Sequence, residues 1–73
     1  MSHKGSVEVV GNRTVEIRVS AMVYVVTVPD HSPGLAEYFR RLREHNHEDP
    51  GDGRTWAQYL TDNGLSFHVK YAN

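Results

Sequence analysis

The sequence predicts an α+β domain in which a small antiparallel β-sheet of three or four strands packs against one longer and one short helix. Two segments alternate apolar and polar residues with the period of two that is typical of strands. Two other segments repeat apolar residues with helical spacing. The 73 residues allow one domain, expected at 7–73 after a flexible arm at 1–6, with its elements in the order β-β-(β)-α-α-β.

The first strand is predicted at Val7–Val10, before a turn that contains Gly11 and Asn12. A loop of three residues, Gly11–Arg13, would place Val9 opposite Val15 and keep the apolar residues of both strands on one face. A two-residue loop would instead place Glu8 opposite Val15. We therefore expect the longer loop.

The strongest strand signal runs from Val15 to Val28. Its odd-numbered residues from Val15 to Val25 form one continuous apolar face, and its even-numbered residues become apolar from Met22 onward. A straight strand of this length would span more than about 40 Å at ~3.3 Å per residue, so we expect a bend or turn near Ser20 and Ala21. The part after the bend is apolar on both sides. Helices would cover one side, and another element or a second chain would cover the other.

The longer helix is expected to begin at Ser32 and Pro33, a hydroxyl cap followed by a proline suited to the first helical position. Its apolar stripe has helical spacing and consists of Leu35, Tyr38, Phe39 and Leu42. The opposite face carries two pairs of opposite charge four residues apart, Glu37–Arg41 and Arg40–Glu44.

The segment Asp49–Gly53 ends this helix, and Thr55 with Gln58 has the spacing of a capping box that starts a short second helix. Asn63-Gly64 is a typical helix end. The last strand alternates, with Leu65, Phe67, Val69 and Tyr71 predicted to face inward and Ser66, His68 and Lys70 outward.

Composition excludes several classes of protein. Lys and Arg number 8 and Asp and Glu 9, so the net charge is −1, whereas dedicated nucleic-acid binders usually have a basic surplus. Cysteine is absent, which excludes disulfides and thiolate metal sites. The longest apolar run, Ala21–Val28, is far shorter than the ~20 residues of a membrane helix. The N-terminus lacks the apolar core of a signal peptide, so we expect a cytoplasmic protein.

The densest polar cluster contains the candidate metal ligands His45, His47, Asp49 and Asp52. Imidazole and carboxylate suit a divalent ion. On a helix, however, His45 and His47 would project about 160° apart. The spacing therefore favours a solvated helix end, and we expect neither a metal nor another cofactor.

A short basic run consists of Arg40, Arg41 and Arg43 and could bind phosphates or carboxylates. Two of these arginines have a glutamate partner on the same helix, so salt bridges on a solvated face are the favoured interpretation.

These patterns favour a non-enzymatic interaction module, a regulator or inhibitor that docks on another protein or forms a homodimer. A chain this short often needs extra stabilisation, and without disulfides a partner chain can supply it. Phage- and plasmid-borne inhibitors and accessory proteins include small chains of similar composition. The expected partner-binding residues are Met22, Tyr24, Val26, Arg40, Arg41 and Arg43.

Two alternative functions stay open. One is a nucleic-acid-binding regulator that uses the helix with Arg40, Arg41 and Arg43. The other is a small metal-dependent hydrolase built on the segment from His45 to Asp52. We expect no membrane partner.

Overall fold

A computed structural model of the chain describes residues 5–19, 21–31, 33–48 and 53–71. It confirms the predicted α+β class and element order. The elements are β1 (Ser6–Val9), β2 (Thr14–Val19), β3 (Met22–Thr27), α1 (Gly34–Glu48), α2 (Gly53–Asp62) and β4 (Ser66–Tyr71). The four strands form one sheet in the order β1-β2-β3-β4, and each neighbouring pair is antiparallel.

The first hairpin has the predicted register. Val9 pairs with Val15 and Val7 pairs with Ile17. The amide of Val10 donates a hydrogen bond of 2.9 Å to the carbonyl of Thr14, which closes the loop around residues 11–13. The three-residue loop is therefore confirmed, and it keeps the apolar residues of both strands on one face.

The chain reverses between Val19 and Met22, which pair with each other. Residues directly opposite in an antiparallel pair share a face, so the apolar face of β2 continues through Met22 and Tyr24. The predicted continuous face that joined β2 to Val23 and Val25 is wrong, because these two residues lie on the other side of the sheet. Because the chain reverses between Val19 and Met22, the residues that face the helices are odd-numbered in β2 and even-numbered in β3.

Both helices cover one face of the sheet, which we call the helix side; the opposite face is called the open face. The predicted apolar stripe of α1 is confirmed: Tyr38 and Leu42 are buried, while Leu35 and Phe39 pack half-buried against the core. The largest fully buried side chains come from both layers and are Trp56, Ile17, Leu42, Leu60, Val15, Val26 and Val28.

The start of α2 differs from the prediction. The helix begins at Gly53, so Thr55 lies within its first turn and does not precede it. The side chain of Gln58 donates a hydrogen bond of 2.8 Å to Asp62 and therefore extends toward the C-terminal end of the helix. The cap predicted for α1 at Ser32 lies outside the described residues.

The predicted end of α2 is confirmed. Gly64 has a φ of +68°, in the left-handed region. The amide of Leu65 donates to the carbonyl of Leu60, and the amide of Gly64 donates to that of Thr61, each at 3.0 Å. This pair of bonds satisfies the last carbonyls of the helix and directs the chain into β4.

The last strand has the predicted alternation, but only its first part is buried. Leu65 is buried and Phe67 half-buried on the helix side. Val69 and Tyr71 share that side but are exposed. Their predicted burial is wrong, because among the described strands β4 pairs with β3 alone and the helices leave its far end uncovered.

Candidate interaction surface

The structure places the predicted partner-binding residues of β3 beneath the helices. Tyr24 is 2% exposed and Val26 is fully buried. Met22 is half-buried, and the ring of Tyr24 lies 5.6 Å from that of Phe67. The segment from Met22 to Val28 is apolar on both sides, and its even-numbered side belongs to the core of the molecule. Only its odd-numbered side lies on the open face.

The open face is partly closed by a cluster of charged side chains. The carboxylate of Glu16 lies 3.5 Å from the guanidinium of Arg18 and 3.5 Å from the ammonium of Lys70. Because Glu16 is on β2 and Lys70 is on β4, their ion pair crosses over β3. Val23, which is flanked by Arg18 and Lys70 in the register, is consequently 2% exposed although α1 and α2 lie on the opposite face of the sheet.

Two of the three arginines of α1 are engaged with acidic neighbours on the same helix. The Arg40 guanidinium binds Glu37 and donates a bond of 2.7 Å to Glu44, while Arg41 donates one of 3.1 Å to Glu37. Hydrogen bonds from Arg40 and Arg41 hold the pKa of Glu37 below its ordinary value. Both predicted i,i+4 pairs are confirmed. They neutralise much of the basic run.

The third arginine of the run packs on an aromatic ring. The Arg43 guanidinium lies 5.6 Å from the centre of Phe39. An open cavity of about 720 Å³ lies along this face and is lined by Arg40, Arg43, Glu44, His47 and Glu48. All five residues belong to one helix, so they form a groove on its surface and do not enclose a ligand.

The structure does not bring the two candidate histidine ligands together. The ring of His45 is stacked on Tyr59 at 3.9 Å and meets the edge of Trp56 at 4.7 Å, whereas His47 is exposed. Burial raises the pKa of the Tyr59 hydroxyl. Asp49 and Asp52 lie outside the described residues. Within the described ranges, no three His, Asp or Glu side chains are grouped as a metal ion would require.

The exposed large apolar side chains of the described residues occur at the two edges of the sheet. Val69 and Tyr71 on β4 are 36% and 74% exposed. Val9 at the end of β1 and Val10 directly after it are 43% and 47% exposed. Sequence reasoning missed this surface because it assigned Val69 and Tyr71 to the core. Alternation gave no signal for it, because the position of β4 at the edge follows from the strand order, which the structure supplies.

Charged residues accompany the apolar ones on both edge strands. On the open face, β4 presents exposed His68 and Lys70, whereas β1 presents exposed Glu8. The outer side of each strand has no partner strand in the described part of the chain. An unpaired strand edge offers backbone donors and acceptors to another chain. The two edges are therefore the surfaces best suited to bind a strand.

None of the helices in the described ranges has the length and apolar character needed to span a membrane. In comparisons with known proteins, no family model, curated protein or solved structure matches this chain.

Proposed function

We propose that this chain is a non-enzymatic protein-interaction module, a regulator or inhibitor that binds another protein by strand addition at the β4 edge. One observation carries the proposal: Val69 and Tyr71 are exposed on a strand whose outer side has no partner strand in the described ranges. Peptide-binding sheets combine the same two features, because the backbone supplies hydrogen bonds and alternate side chains supply specificity.

The side chains of β4 define the chemistry of the partner strand. On the helix side, Val69 and Tyr71 favour apolar residues at alternate positions. On the open face, Lys70 favours a carboxylate, since 58% of its side chain is exposed and it holds Glu16 only at 3.5 Å. The partner segment is thus an extended strand in which acidic and apolar residues alternate.

The other two functions require groups that are engaged elsewhere in the fold. Phosphate binding by α1 would compete with the bonds that Arg40 and Arg41 make to glutamates. A metal site would have to draw His45 away from Tyr59 and Trp56. Because each alternative function would have to break these contacts, the contacts favour the interaction module.

The test compares two lysine variants in binding to a purified partner. A protein that copurifies with the native chain is isolated, and its affinity is measured by calorimetry for the wild type, Val69→Lys and Thr27→Lys. Thr27 is exposed on the open face of central strand β3, so its variant adds the same charge away from the edge. We expect Val69→Lys to weaken binding about tenfold or more and Thr27→Lys to change it less than about twofold.

Equal affinities for the wild type and Val69→Lys would refute strand addition at β4. A greater loss in Thr27→Lys would move the binding surface to the open face.

A further inference from the structure

We infer that β1 of a second copy of this chain is a strand that β4 accepts, so that copies associate head to tail through the two edges of the sheet. This inference rests on the proposed function, because the same β4 edge receives the partner. It adds the identity of one partner strand and the register of the pairing.

β1 has the alternation that β4 requires. Val7 and Val9 lie on the helix side, and Glu8 between them lies on the open face. The apolar residues of β1 would therefore meet those of β4, and its carboxylate would meet the ammonium group of Lys70 on β4.

The strand directions permit this pairing without turning the second copy over. Each neighbouring pair in the sheet is antiparallel, so β1 and β4 run in opposite directions. A second copy in the same orientation adds its β1 antiparallel to β4 and keeps its helices on the same side. The sheet then continues from one copy into the next.

One register places complementary side chains opposite each other. With Glu8 opposite Lys70, Val9 lies opposite Val69 and Val7 lies opposite Tyr71. Three of these residues, Val9, Val69 and Tyr71, are exposed large apolar side chains in the single chain. Their burial and the Glu8–Lys70 pair favour this register.

Pairing of identical edges is less favourable. Two β4 strands in antiparallel register would bring Lys70 and His68 of one copy beside the same residues of the other. In a pair of β1 strands, the described residues Ser6–Val9 would offer Glu8 no cation. Charge complementarity thus selects the β1–β4 contact, which is heterologous and leads to rings or open chains of copies.

The experiment uses two variants that each block one edge. Val9→Lys blocks β1, Val69→Lys blocks β4, and Thr27→Lys is the control with equal added charge. Both edge positions are exposed enough to accept lysine in the folded chain, and circular dichroism verifies folding. The mass of each protein is measured by light scattering after size exclusion, over a concentration series.

We expect the wild type and Thr27→Lys to exceed the monomer mass increasingly as concentration rises. Each edge variant alone should stay monomeric. An equal mixture of Val9→Lys and Val69→Lys should give a species of twice the monomer mass and nothing larger. The intact β4 of the first variant pairs with the intact β1 of the second, and the two outer edges of this dimer are both blocked.

Three results would overturn the inference: a monomeric wild type at every concentration, association of either edge variant alone, or a mixture that stays monomeric. A monomeric wild type that still binds a separate partner through Val69 would leave the proposed function intact. A chain that neither self-associates nor binds a partner through β4 would refute both.

Discussion

Gly64 shows how a single backbone angle ends one element and starts the next. At a φ of +68°, a side chain would be strained although a Cβ there would meet nothing within 4 Å. We expect Gly64→Ala to lower the free energy of unfolding by about 1 kcal/mol, measured by urea denaturation. Gly11→Ala is the control, because Gly11 lacks a positive φ and its Cβ would contact Thr14 at an ordinary 3.5 Å. Equal losses in the two variants would contradict the assigned role of Gly64.

His45 acts as a packing residue between two aromatic rings. We expect His45→Ala to destabilise the fold by about 1–2 kcal/mol, because it removes the stack on Tyr59 and the contact with Trp56. His45→Phe should retain most of the stability, since a planar ring is preserved. The free energies of unfolding of both variants are measured by urea denaturation and compared with that of the wild type. A phenylalanine variant as unstable as the alanine variant would indicate that the imidazole itself is required.

At the residue scale, local pairs were predictable, while burial at the edge of the sheet was not. Glu37 and Arg41 were identified because helical geometry alone brings residues four apart together. Val69 and Tyr71 alternate as buried residues do, but their exposure depends on where the helices end above the sheet. No pattern within β4 contains that information.

At the scale of the element, α1 combines an apolar stripe with a face of paired charges. The pKa of Glu37 is lowered by Arg40 and Arg41, so its ionised form stabilises the folded state. This contribution is present above the ordinary pKa of a glutamate and is lost as the pH falls through the lowered folded-state value.

Glu37→Gln is therefore expected to lower the melting temperature at pH 7. The difference from the wild type should shrink as the solution becomes acidic enough to protonate Glu37. Asp30→Asn is the control, because Asp30 is exposed in the loop before α1. A difference between Glu37→Gln and the wild type that does not change with pH would rule out this electrostatic role.

The hairpins show which parts of an element can be derived from a pattern. The β1–β2 register was predictable, because only one loop length aligns Val9 with Val15 and keeps the faces separate. The position of the β2–β3 reversal was predicted correctly. The side of β3 that the helices cover was predicted wrongly, because the chain is apolar on both sides from Met22 onward. Where both faces are apolar, alternation cannot say which one the helices cover.

In the molecule as a whole, the two sheet edges differ from the rest of the surface formed by the described residues, because they combine exposed apolar side chains with strand backbone. The core unites both helices with the sheet, and Arg40 and Arg41 of α1 are paired with glutamates. Val23 on the open face is covered by its charged neighbours. At the edges, in contrast, the described residues supply no partner strand, and Val9, Val69 and Tyr71 are exposed. The sequence predicted surplus apolar surface on the segment from Met22 to Val28, whereas the exposed large apolar side chains of the described residues lie at the two edges of the sheet.

Backbone amide hydrogen exchange, measured at low and high protein concentration, shows directly whether copies of the chain associate through the edges of the sheet. Amides at an interface exchange more slowly when the complex forms. We predict that exchange slows with concentration in β1 and β4 and does not change in α1 or β3. Exchange that is independent of concentration throughout the described residues, or slowing confined to α1 or β3, would refute association of copies through the two edges.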